Sequence, residues 1–397
     1  MMLFRQLHPV LRRSGAWLGA GRRLYSTIPG VRALTVVNPT RTSLDQLLRA
    51  EGSNSVIILA TPQHAPTLLE LVKNNPLSAE QPLQILAAAV DTIPFGSQRN
   101  GFSLLYLPNR LNIHDAVPSA GQDEGEPTVT NGLTSGRQNW NLTTSLLSFV
   151  VGGSSELVLP IANTVFTTGR QSVMALNSPS TDGSFQTLSS ARVELPPLGP
   201  SHLHHNVYSP LRPVGPQEME VTDCKDNMIK TLDKRPAAVF LEDAPELTEG
   251  DAATQRSRKV YAVVSSETSI TRYQVLAGGG GSWSPRQSML VLEPTAKLNK
   301  GDLVSFYYSD PAIVEANDEH LRNDINSVMK DNKSVQLVFE ASPVLESLRD
   351  EPYVSYDEDV VLENVFGAGT ESGFLLNDTK HSVESEMAVL SHLYSST

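Results

Sequence analysis

The chain has 397 residues, 31 basic against 43 acidic, and a formal net charge of −12. Its length allows two to three domains of roughly 100–200 residues, and its acidic balance argues against a protein that grips nucleic acid by neutralising phosphates. No run of about 18 apolar residues is present, which excludes a membrane-spanning helix, and the single cysteine, Cys224, excludes an intramolecular disulfide or a zinc site with two or more thiolates.

Residues 1–25 carry Arg5, Arg12, Arg13, Arg22 and Arg23 and no acid; the first acidic residue is Asp45. Without those arginines the chain holds 26 basic against 43 acidic residues, a charge of −17. Leu3, Phe4, Leu7, Leu11 and Leu18 recur at helical spacing, with arginines around them. A basic, acid-free amphipathic segment has the physical form of a mitochondrial transit peptide, and Arg22-Arg23-Leu24-Tyr25-Ser26 resembles a matrix-protease site cut before Ser26. A basic arm with no targeting role is the plainer alternative. The expected location is the mitochondrion, in the matrix.

In chain order, Thr42–Ala50 predicts a short helix, Ser55–Ala60 a buried strand, Pro66–Asn74 a helix, and Leu83–Val90 and Phe102–Leu107 two more strands. Strand, helix, strand within about 35 residues is a βαβ signature. Residues 118–136 and 178–216, polar or Pro-rich, read as loop insertions. Lys259–Ser265, Tyr273–Ala277, Ser288–Glu293 and Asp302–Ser309 read as an antiparallel meander. A long helix is expected at Ala312–Lys330, strands at Val335–Glu340 and Phe374–Leu376, and a last helix at Ser385–Tyr394. The expected fold class is α+β: two layered α/β subdomains with mixed, largely antiparallel sheets, dividing into residues 42–235 and 236–397.

Signals for chemistry are soft. Gly278-Gly279-Gly280-Gly281-Ser282-Trp283-Ser284 lets the backbone approach a ligand closely, yet it lacks the Gly-Lys-Ser/Thr of a P-loop and reads more simply as a hairpin-like turn. Gly152-Gly153-Ser154-Ser155 lacks the second glycine of a nucleophile elbow. His202, His204 and His205 cluster in a Pro-rich stretch without the further ligands a metal needs. Cys224 sits between acids and reads as a structural thiol rather than a nucleophile. No metal and no cofactor is expected.

Several stretches in order resemble the FIST family, named for F-box and intracellular signal transduction. These are SVIILATPQHAPTLLELVKNN with LQILAAAV, LPIANTVFTTGRQSVM, the link SPLRPVGPQEMEVTDCKDNMIKTLDKRPAA, the Gly-rich turn with SMLVLEP, and LNKGDLVSFYYSDP. The resemblance covers about residues 45–395 and implies a FIST N-terminal region followed by a FIST C-terminal one. It also implies a ligand-sensing module for amino-acid-like molecules, with no catalytic residue to carry over. The expected function is therefore small-molecule binding or sensing; the alternative is a hydrolase or transferase of unidentified class. Two loops are candidate ligand contacts: Asn163, Thr164, Gly169 and Arg170, and Gly279, Gly280, Trp283 and Arg286. Their arginines offer bidentate forks for a carboxylate; the plainer reading ties them to surface acids. The expected partner is a small molecule, with no nucleic acid and no membrane span; a protein partner is left open.

Replacing Arg5, Arg12, Arg13, Arg22 and Arg23 together with Gln should abolish import of a fluorescent fusion into mitochondria. Undiminished matrix fluorescence would refute the leader.

Overall fold

The computed structural model describes residues 30–39, 42, 44–47, 52–74, 83–94, 99–119, 145–177, 185–196, 203–242, 244–267, 270–278, 289–310, 312–313, 335–342 and 359–392. Among them strands take 55% and helices 14%. The layered α/β expectation is thereby overturned: the molecule is mostly β, with a closed six-stranded antiparallel barrel and two further sheets.

The N-terminal part begins with β1 (Arg32–Val37), α1 (Leu44–Leu47), β2 (Ser55–Ala60), α2 (Ala65–Asn74), β3 (Gln84–Ala89) and β4 (Gly101–Leu107). β2 and β3 pair in parallel around α2, so the βαβ unit is real, but it is a single unit in a sheet that is otherwise antiparallel here. Every residue of β2, β3 and β4 is buried, the property that makes their sequences continuous apolar runs rather than alternating ones. One face, with Val56, Ile58, Ile85 and Leu104, takes Leu68, Leu71 and Val72 of α2.

β5 (Asn112–Pro118), β6 (Leu146–Val151), β7 (Ser155–Pro160), β8 (Met174–Asn177) and β9 (Phe185–Glu194) extend this sheet. β8 pairs with β3 and β9 with β8, after which β9 pairs with β5 and β6. A second sheet contains β10 (Leu203–Tyr208), β18 (Gln336–Ala341), β20 (Val365–Thr370) and β23 (Met387–His392), in the order β10–β23–β18–β20. The two sheets enclose one apolar core, where Phe149 of β6 meets Phe339 and Phe366 of the second sheet, each at 6.0 Å between ring centres.

Between β10 and β18 the chain forms the barrel: β11 (Arg212–Lys225), β12 (Met228–Leu232), β13 (Arg235–Pro236), β14 (Lys259–Ser265), β15 (Ile270–Ala277), β16 (Leu290–Leu292) and β17 (Leu303–Ser309). The ring runs β11–β12–β16–β15–β14–β17 and returns to β11, every pair antiparallel; β13 hangs on β12. The four strands read as a meander are present, but β17 pairs with β14 and β11, which closes the ring. Val221, Ile229, Leu232, Val264, Leu290, Leu292, Val304 and Phe306 fill the interior. The division expected after residue 235 falls inside β13.

Two local expectations fail for physical reasons. Residues 385–394 were expected as a helix, but Met387–His392 is a strand: Ala388 and Leu390 face the shared core and Met387 and Val389 a second cluster. A short run buried on both faces carries no period to tell helix from strand. The supposed loop 178–216 contains β9, β10 and the start of β11; Pro196 and Pro210 stand between strands, and the β11 register breaks after Val214, beside Pro213 and Pro216. Beyond Ile313 the long helix lies outside the described residues, as does 120–136 of the other loop.

The remaining strands are β19 (Val360–Glu363), β21 (Phe374–Leu376) and β22 (Thr379–His381). β19 pairs with β1 in the first sheet; the chain then turns at Asn364, which has φ 59°, and enters the second sheet as β20. One side of β20 pairs with β18. Its other side is capped from the first sheet: the Gly367 N–H donates to Ser103 Oγ at 3.0 Å, Ser103 lies 2.7 Å from Thr35 Oγ1, and Thr35 donates to the Val365 carbonyl at 2.9 Å. Gly369 exchanges both backbone hydrogen bonds with Thr92. Gly367 has no space for a side chain, since a Cβ there would lie 1.7 Å from the Val338 carbonyl oxygen.

Gly367→Ala should lower unfolding free energy by about 3 kcal/mol or more, and Ser103→Ala, which orphans a buried N–H, by about 1–3 kcal/mol. Denaturant melts check both; a near-wild-type midpoint for Ser103→Ala would refute the edge cap, and one for Gly367→Ala the close packing of β20 on β18.

Candidate functional site

β2 and β3 end side by side, and the capped end of β20 lies against them. Val90 N–H donates to the Ala60 carbonyl at 2.9 Å, and Asp91 and Thr92 follow. Asp91 Oδ2 accepts from the Glu371 N–H at 2.8 Å, and the Glu371 carboxylate pairs with Arg99 at 2.6 Å. Thr92 Oγ1 donates to Ser342 Oγ at 3.2 Å, and the Ser342 N–H donates to the Thr370 carbonyl. On the β1 and β2 side, Asn100 donates to Asn38 Oδ1 at 2.8 Å and lies 3.0 Å from His64 Nε2 through its own carbonyl oxygen. That pairing makes His64 the Nε2–H tautomer. Backbone approach at strand ends thus collects a carboxyl, an ion pair, two hydroxyls and a histidine from segments as far apart in the chain as His64 and Glu371.

The electrostatics of this cluster are uneven. Burial pushes the Asp91 carboxyl up to about 6; the Glu371 N–H and Arg99 oppose the shift and the Glu371 charge adds to it. Burial lowers His64 below its ordinary value, with Asn100 partly offsetting. Arg99 and Glu371 remain about one-third exposed, so the cluster is open to solvent on that side. A carboxyl of this kind is mostly ionised at pH 7 and can pair with an ammonium group, and Arg99 beside it with a carboxylate.

The first expected loop is tied to the end of β3. Ala162 N–H donates to the Ala89 carbonyl and Ala89 N–H to that of Val173, so the segment between them flanks the end of β3, two residues before Asp91. Most of its polar groups serve the loop itself. Thr164 is buried and donates to the Arg170 carbonyl at 2.9 Å, Asn163 Oδ1 accepts from the Val165 N–H, and Gly169 closes the turn Val165–Thr168 with φ 71°. Arg170 is exposed and makes no ion pair among the described residues. Gly279, Gly280, Trp283 and Arg286 lie outside the described residues. Sequence reasoning missed Asp91, Thr92, Arg99, Ser342 and Glu371; the available signal was an acid directly after the apolar run LAAAV.

Nucleophile chemistry finds weak support. Ser209 Oγ donates to Glu386 Oε1 at 2.9 Å, within the reach a serine and base need. Burial would push Glu386 up, but hydrogen bonding with His381, the Arg272 charge and the Val383 N–H together hold it below the ordinary carboxylate range. An anion so held is a poor proton acceptor. Burial and the neighbouring Asp223 push the Cys224 thiol up, away from a reactive thiolate. Among the described residues no group of three or more His, Cys, Asp or Glu could hold a metal ion, and no helix is long and apolar enough to cross a membrane.

Compared with known proteins, the chain matches no family model, no curated protein and no solved structure.

Because the folded-state value of Asp91 lies above the unfolded one of about 3.9, its protonated form favours the fold. That contribution is complete below about pH 4 and is lost as pH rises through about 6. Relative to wild type, Asp91→Asn should therefore gain about 2–3 kcal/mol in unfolding free energy between pH 4 and pH 7. Urea melts across that range measure the difference, and a constant one would contradict the shift.

Proposed function

We propose that the protein is a mitochondrial small-molecule-binding or sensing protein of the FIST kind, acting in the matrix and taking an amino-acid-like ligand at the strand-end cluster. The observation that carries this reading is Asp91. Its carboxyl costs the fold stability at neutral pH, and a group retained at such a cost marks a site with a task other than folding. Asp91 meets an ammonium and Arg99 a carboxylate. The basic acid-free leader supports the compartment, and the ordered FIST-like stretches support a sensing role. The weak basicity of Glu386 and the raised Cys224 thiol favour binding over hydrolase or transferase chemistry.

Calorimetric titration with individual L-amino acids tests this. Asp91→Ala and Arg99→Ala should each weaken binding by about 10- to 150-fold, the worth of a charged hydrogen bond of about 1.5–3 kcal/mol. Wild-type affinity should fall as pH drops through about 6, when Asp91 takes up a proton. Heats absent from wild type, or wild-type affinity in both variants, would sink the reading.

A further inference from the structure

The barrel meets the two-sheet unit through a narrow polar contact. Ile270 of β15 pairs in parallel with Thr379 of β22, and Lys259 lies 3.8 Å from Glu384. Two residues past Ile270, Arg272 reaches out of the barrel to the fully buried Glu386 and lies 3.0 Å from His381 Nδ1. Glu386 also accepts from Ser209, in the link between β10 and β11, and from the Val383 N–H at 2.9 Å. A fully buried carboxylate facing an arginine from another unit is a latch: removing either partner leaves a charge without compensation.

The same chain segment that forms the latch begins at the strand-end cluster. From Thr370 and Glu371 it runs through β21 and β22 to Glu386. Thr370 Oγ1 donates to the Gly373 carbonyl at 2.6 Å, two residues from the Glu371–Arg99 pair. Gly373, at φ 76°, is packed so closely that a Cβ would lie 2.1 Å from the His381 carbonyl oxygen and 2.8 Å from Ser382 Cα. Phe374 stacks on the His381 ring at 5.0 Å and 18°. A displacement of Glu371 therefore has no slack to dissipate in before it reaches His381, and with it Arg272.

We propose that the segment from Thr370 to Glu386 couples the strand-end site to the seating of the barrel. A ligand carboxylate that draws Arg99 away from Glu371 shifts the turn at Gly373, loosens His381 and Glu386 around Arg272, and frees the barrel's β15 edge. The ligand side of this proposal rests on the reading of the Asp91 cluster as a binding site.

Hydrogen exchange on the full chain tests the coupling without a ligand. Arg99→Ala, which removes an ion pair about one-third exposed, should speed exchange about tenfold at residues 270–272 and 379–386 while leaving β12 unchanged. Arg99→Lys, which keeps the cation, should restore the wild-type pattern. Unchanged exchange at 379–386, or a rise spread evenly over the chain, would overturn the coupling. In parallel, L-glutamate and L-lysine serve as probes, with calorimetry reporting binding and exchange reporting the latch. Heat accompanied by faster exchange at the latch supports the proposal, and heat without it overturns the coupling. Absence of heat with both probes counts against the site reading, and the Arg99→Ala result then still decides the coupling.

Discussion

The edge of β20 is the constraint on which the rest depends. A buried strand edge must have its N–H and C=O groups paired, and here the pairing comes from the hydroxyls of Ser103 and Thr35 and the backbone of Thr92. Those partners sit on the first sheet and β20 belongs to the second, so satisfying the edge fixes how the sheets meet. Glycine at 369 follows from the same approach, since a Cβ there would lie 2.1 Å from Thr92 Oγ1, whereas Gly367 is required by the close approach of β18 within the second sheet. The Phe149, Phe339 and Phe366 cluster then fills the space that the docking defines.

The candidate site is a by-product of that docking. Thr92 is engaged by Gly369, so Asp91 immediately before it is carried into a half-buried corner, and Glu371 immediately beyond β20 delivers its N–H to the Asp91 carboxylate. Burial raises the carboxyl, and the Arg99–Glu371 pair on the open side supplies a counter-charge that a ligand can compete for. The barrel stands apart from this chemistry. Its interior is filled by its own side chains, and it joins the rest through β15, β22 and the Glu386 latch.

The parts of this architecture legible in the sequence were those with a local cause. Ser55–Ala60 and Lys259–Ser265 are strands over the expected residues, and α2 starts one residue earlier than expected, because apolar runs and 3.6-residue spacing are written into neighbouring residues. Fold class was not legible. One βαβ unit suggested a layered α/β protein, while closure of the barrel depends on β17 choosing β14 and β11, a choice with no local signature. Met387–His392 shows the same limit, since burial on both faces erases periodicity. The loop Asn163–Arg170 was placed at a site by its composition and does flank β3. Asp91 and Glu371, by contrast, stand 280 residues apart and meet only through the β20 edge.

Docking of β20 half-buries Asp91 and pushes its carboxyl up, and the binding reading proposed for this corner depends on that shift. Carbon-13 titration of the Asp91 side-chain carboxyl in the full chain, with Asp91→Asn to assign the resonance, tests it most directly. A midpoint at about 6, falling towards the ordinary aspartate value in Gly369→Ala as the edge is forced away, is the result the account predicts. A midpoint near 4 in the wild-type protein would contradict it.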